Sequence, residues 1–86
     1  MYNYLDERAT IFTEEGQEMF LKIRDKVLNT IKNFGAIRMD SAIQNCSGSS
    51  WQMMACVDRL VELKEIVEVT SDCAGQHRIF TKYDSQ

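Results

Sequence analysis

Proline is absent from this chain, which suits a compact arrangement of helices and hairpins without long rigid loops. Long apolar runs are also missing. No stretch approaches the length of a membrane span, and the opening segment MYNYLDERATIF has no secretory hydrophobic core, so neither membrane insertion nor export is expected. Cysteine is scarce: Cys46, Cys56 and Cys73 are odd in number and form no paired motif, which argues against a disulfide framework and for a reducing cytoplasm. There is one histidine, no glycine-rich phosphate loop, no nucleophile-elbow pattern and no outstanding carboxylate pair. A chain this small also has little room for a buried cleft. Neither enzyme activity nor a cofactor is expected.

What is present fits one small domain. At 86 residues the chain is near the lower limit at which a single core suffices. Its hydrophobic share of 44% and charged share of 27% are those of an ordinary globular protein. The net charge of −3 is unevenly spread. Residues 1–18 hold five carboxylates against Arg8 alone, whereas residues 19–86 hold nine basic and eight acidic side chains. The acid sits at the front and the body is near neutral, which is a thin basis for binding a polyanion.

The most informative stretch is SSWQMMACVDRLVELKEIVEVTS, residues 49–71. Ser49 followed three residues later by Gln52 has the spacing of a capping box, in which each side chain satisfies the other's backbone N–H. Met53, Val57, Leu60 and Val61 then recur on one helical face. The opposite face carries Ser50, Trp51, Gln52, Cys56 and Arg59, an unusual set to leave in water. After Leu63 the period changes, and residues 66–70 read as a β-branched strand. Lys64 stands at the helix exit, where a left-handed or otherwise non-helical backbone is needed and glycine is usual.

Upstream, residues 1–12 contain Tyr2, Tyr4, Leu5, Ile11 and Phe12 without a period. They read as an arm packed on the body, a dimer contact or a frayed end. Thr13 is a helix cap, with Glu14 and Glu15 in the first turn. Met19, Phe20, Ile23, Val27, Leu28 and Ile31 make the stripe of a long amphipathic helix over about 14–33, ended by Gly35. Ala36 and Ile37 have room only for a bridge. A short helix starts near Asp40 and runs through Ala42, Ile43 and Cys46, then Ser47 and Gly48 turn the chain. Residues 77–83 form a second strand, joined to the first by a polar loop, so the C-terminal part is a β-hairpin.

This order of helix, short bridge, helix, turn, helix and hairpin resembles the winged helix-turn-helix superfamily. The core spacing of Ile43, Cys46, Ser49, Met53, Val57 and Leu60 carries the likeness, which covers residues 14–83. The resemblance implies an α+β domain over residues 13–86, with three helices and a C-terminal hairpin wing, preceded by an arm over 1–12. It further implies a transcriptional regulator that binds double-stranded DNA, with the third helix, about 49–63, in the major groove and hairpin 66–83 as the wing. Ser49, Ser50, Trp51, Gln52 and Arg59 would face the DNA, with Gln76, His77 and Arg78 touching its backbone from the wing. So small a cationic footprint implies a homodimer presenting two recognition helices. Lys64 in place of glycine departs from the superfamily pattern.

Competing readings remain for several residues. Trp51 is either an exposed contact for DNA or a protein partner, or an aromatic folded back over the core. Arg59, flanked by Asp58 and Glu62, is either a DNA contact or half of a solvated ion pair. Cys46 and Cys56 read as small apolar fillers. Cys73 and His77 have a spacing that could supply two zinc ligands, but the chain has no second pair, so no metal is expected. The alternative function is a protein-interaction module on the same scaffold, using the Trp51 face without nucleic acid.

Overall fold

The computed structural model describes residues 2–69 and 77–84. In chain order these form α1 (Tyr4–Ile11), α2 (Glu14–Phe34), β1 (Ala36–Arg38), α3 (Met39–Ile43), α4 (Ser50–Glu62), β2 (Ile66–Glu68) and β3 (Ile79–Lys82). The α+β class stands, with four helices where three were expected. The additional one is α1, formed within the stretch that shows no period. Its apolar residues do not repeat because it is fastened mainly by polar groups, and Ile11 alone of its eight residues is buried. Asn3 caps it, the side-chain oxygen accepting the Leu5 N–H at 2.9 Å.

Thr13 caps α2 as its position suggests, accepting the Gly16 N–H at 3.0 Å. Phe20, Ile23, Val27 and Ile31 face inward, while Met19 and Leu28 lie at the core margin. Gly35 ends the helix in the left-handed region at φ 87°, its N–H bonded to the Ile31 carbonyl at 2.7 Å. The next residues make more than a bridge: β1 pairs with β3 over three residues, giving a three-stranded antiparallel sheet of order β1-β3-β2. Phe80, between Ile37 and Glu68 in register, is wholly buried and brings the central strand into the core. The hairpin strands are shorter than expected, and Thr70 lies outside the described residues.

α3 begins one residue before Asp40 and stops at Ile43, short of Cys46. Asn45, at φ 63°, then redirects the chain toward α4. At the far end of α4 the left-handed backbone expected at Lys64 is present, with φ 61°, a conformation that costs a non-glycine residue about 1 kcal/mol. Ile23 and Val27 from α2, Val57 and Leu60 from α4, and Ile66 and Phe80 from the sheet are all wholly buried and form the centre of the core.

The junction between α1 and α2 depends on Gly16. A Cβ there would lie 2.1 Å from the Thr10 carbonyl oxygen and 2.7 Å from that of Ile11, both backbone atoms. Substitution of Gly16 by Ala should therefore lower the unfolding free energy in urea by about 2 kcal/mol, the scale of an overpacked site. Gly35→Ala meets no atom within 4 Å but keeps the positive φ, and should cost about 1 kcal/mol.

Candidate interaction surface

Ser49 is the N-cap of α4 and accepts the Gln52 N–H at 3.4 Å. The reciprocal half of the expected capping box does not form. The Gln52 carboxamide instead donates to the Thr10 carbonyl of α1 at 3.0 Å. Further along, residues 53–57 are all buried. Five consecutive helical positions sweep about 400° around the axis, so the middle of α4 is enclosed on every side. α2 and α3 cover one side and α1 the other. The face that carries Gln52, Cys56 and Arg59 is thus the seat of α1. Cys56 is wholly buried and its thiol is pushed up to about 12, by burial first and by Cys46 second. It is an unreactive filler, as its sequence context suggests.

Two carboxylates of α4 hold α1 in place. Asp58 accepts from the Tyr2 hydroxyl at 2.5 Å. Glu62 accepts from the Tyr4 hydroxyl at 2.7 Å, the Arg8 Nε at 3.1 Å and the Arg59 Nη1 at 2.7 Å. Hydrogen bonds from Tyr4, Arg59 and Arg8 bring the Glu62 carboxyl down to about 2. Tyr4 is pushed up to about 12, by burial and then by its bond to Glu62, and Tyr2 is raised by burial and its bond to Asp58. The guanidinium carbons of Arg8 and Arg59 stand 5.1 and 5.2 Å from the Phe12 ring centroid, within cation–π range.

Arg78, expected to touch a DNA backbone, is committed elsewhere. Its side chain is 16% exposed and donates to Asp58 at 2.7 Å and to Glu68 at 2.9 Å. Its guanidinium carbon also stands 5.1 Å from the Phe80 ring centroid. Burial works against the charge, but the hydrogen bonds to Asp58 and Glu68 outweigh it and the pKa is raised. The other arginines are paired too: Arg8 and Arg59 with Glu62, Arg24 with Glu65 and Arg38 with Asp40. Arginine charge is therefore spent on internal carboxylates.

Of the other predicted contact residues, Ser50, Trp51 and His77 are exposed, and Ser49 keeps its side chain at the cap. Trp51, 43% exposed, does not fold away into the core. Gln76 and Cys73 lie outside the described residues. The structure therefore brings Gln52 and Arg59 together under α1, places Arg78 in a separate ionic cluster through Asp58, and leaves Ser50 and Trp51 at the open first turn of α4. Sequence reasoning missed Tyr2, Tyr4, Arg8 and Phe12 as the partners of α4. The odd polar face of α4, joined with an aperiodic aromatic N-terminal stretch, was the signal for them. Among the described residues, no helix is long and apolar enough to cross a membrane, and no group of three potential metal ligands occurs. Comparison with known protein families, curated proteins and solved structures finds no match to this chain.

Removing Asp58 strands the largely buried Arg78 with Glu68 alone and frees the Tyr2 hydroxyl. Asp58→Ala should cost about 3 kcal/mol of stability by urea denaturation, the loss seen when one member of a buried ion pair is deleted. Acid should undo the Glu62 contacts separately. Because the folded-state pKa of Glu62 lies below its ordinary value of 4.5, its stabilising contribution is complete above about that pH and is lost as pH falls toward about 2. The stability difference between the native chain and Glu62→Gln, measured by urea denaturation across this range, should be flat near neutrality and close on acidification.

Proposed function

We propose that this chain is a winged helix-turn-helix module that binds a protein partner, with Trp51 at the centre of the contact. The helix order, together with the sheet order β1-β3-β2, supports the winged-helix part of the reading. The enclosure of α4 carries the functional part. A helix that reads the major groove must offer a solvent-facing row of side chains to base edges, and here that row is occupied by α1. Arg78 is engaged with Asp58 and Glu68, and the overall charge is negative. A half-exposed tryptophan beside a rigid helix start is, by contrast, the kind of aromatic anchor that dominates protein interfaces. Cytoplasmic residence goes with this reading, on the free thiols of Cys46 and Cys56.

Binding of double-stranded DNA by a homodimer is the second reading, and one observation favours it: the first turn of α4, with Ser50 and Trp51, remains open to solvent. In that reading α1 must leave before Gln52 or Arg59 can reach a base.

Fluorescein-labelled random duplexes, titrated with the native chain at low salt, should show no salt-dependent anisotropy change. An extract of the protein's own cells should yield a defined partner to the immobilised native chain and not to Trp51→Ser, with the far-ultraviolet circular dichroism of the two unchanged. Tight duplex binding that falls steeply with salt and disappears in Gln52→Ala would sink the protein-binding reading.

A further inference from the structure

Beside the ion-paired arginines, the lysines stand apart. Lys26 donates to the Gln44 carbonyl. Among the described residues Lys22, Lys32, Lys64 and Lys82 make no hydrogen bond or ion pair through their ammonium groups, and Lys22 lies apart from the other three. Lys32, Lys64 and Lys82 come from the end of α2, the exit of α4 and the end of β3, yet they line one groove of about 780 Å³. Leu28, Ile31 and Tyr83 supply its apolar lining. One carboxylate, Glu65, also lines it, and Arg24 already pairs with that group at 2.8 Å. The groove therefore keeps an uncompensated positive rim over an apolar floor, on a chain whose net charge is negative.

Lys64 adds an independent sign. It holds a left-handed backbone at φ 61°, where glycine would sit without the Cβ penalty. Its N–H is bonded to the Val61 carbonyl at 3.0 Å, a bond that any residue but proline could make. Among the described residues its ammonium forms no hydrogen bond or ion pair that would offset the backbone strain. A lysine kept in a strained conformation, with its charge unspent and beside two others, is better explained by a ligand than by the fold.

We propose that the Lys32–Lys64–Lys82 groove binds an acidic peptide segment of a partner protein, with a large apolar side chain of that segment on Leu28 and Tyr83. The volume falls within the range of sites that enclose a ligand's main body. Charge complementarity selects an anionic occupant, and the apolar lining selects a peptide over nucleic acid, whose phosphates would leave Leu28 and Tyr83 uncovered. The proposal rests on the protein-binding reading above but not on the Trp51 contact, because the groove lies at the C-terminal end of α4 and Trp51 at its N-terminal end.

The test uses the full chain and three fluorescein-labelled probes: a peptide alternating Glu with Leu and Phe, a poly-Glu peptide of equal charge, and a random DNA duplex. The alternating peptide should bind with an affinity that falls as salt rises, and at least about tenfold more tightly than poly-Glu, the equivalent of a single well-buried apolar side chain. The duplex should not bind. Lys32→Gln and Lys82→Gln should each weaken the peptide several-fold, and the double variant more. Lys64→Gly is the decisive variant. It should weaken the peptide while raising Tm by roughly 4 °C, as relief of one strained residue would do in a domain of this size, so lost binding cannot be put down to misfolding.

Absence of peptide binding, equal binding of poly-Glu, equal binding of the duplex, or unchanged affinity in Lys64→Gly would each overturn the proposal. Failure of the groove and failure of the broader reading remain distinct. A native chain that captures its partner through Trp51 but ignores the peptide loses only the groove. A chain that binds the peptide while Trp51→Ser still captures its partner loses only the Trp51 contact.

Discussion

Asp58 and Glu62, one helical turn apart on α4, are the constraint on which the rest of the molecule depends. Each carboxylate gathers groups from distant parts of the chain. Asp58 joins Tyr2 to Arg78, and Arg78 carries the connection on to Glu68 of β2 and the Phe80 ring of β3. Glu62 collects Tyr4, Arg8 and Arg59. The N-terminal segment, the central helix and the sheet are thereby fixed relative to one another by charge-assisted hydrogen bonds rather than by apolar area alone. That is how α1, with Ile11 as its only buried residue, keeps a defined place.

The same arrangement converts an open helical face into an interior. Without α1, Gln52, Cys56 and Arg59 would form a mixed polar surface on α4. With it, Cys56 is wholly buried, Gln52 completes the bonding of the Thr10 carbonyl, and Arg59 stacks on Phe12. What α4 leaves open to solvent lies at its two ends. The first turn retains Trp51, and the exit carries Lys64 beside the unpaired lysines of α2 and β3.

Much of the body was legible from local chemistry. Thr13, Gly35 and Ser49 mark helix ends through their own side-chain or backbone properties, and the Phe20, Ile23, Val27 and Ile31 stripe needs only the helical period. Lys64 was readable because the helix exit demanded a left-handed or otherwise non-helical residue, of which the left-handed form is present. The α1 seat was not legible, for a physical reason. Its contacts are pairs between Tyr2 and Asp58, Tyr4 and Glu62, and Arg8 and Glu62, and such pairs leave no periodic trace along the chain. Arg78 illustrates the same limit: a wing arginine and a structural arginine have the same local sequence, and only the distant position of Asp58 separates them. Gln52 had the spacing of a capping residue, yet a carbonyl 42 residues away won its carboxamide.

These separations also order events in time. The bonds that seat α1 span 42 to 58 residues of chain, so during synthesis α1 emerges well before the residues that receive it. A waiting helix with a broad apolar face would invite association with other chains. α1 instead carries Asp6, Glu7 and Arg8, buries Ile11 alone and packs Tyr4 at the core margin, which lets it remain in solvent at little cost. Its closing contacts have the high sequence separation that slows their formation relative to local ones. Strand β3 meets β1 and α2 across comparable separations, so α1 and β3 are alike the parts of the fold whose places depend on residues far away along the chain.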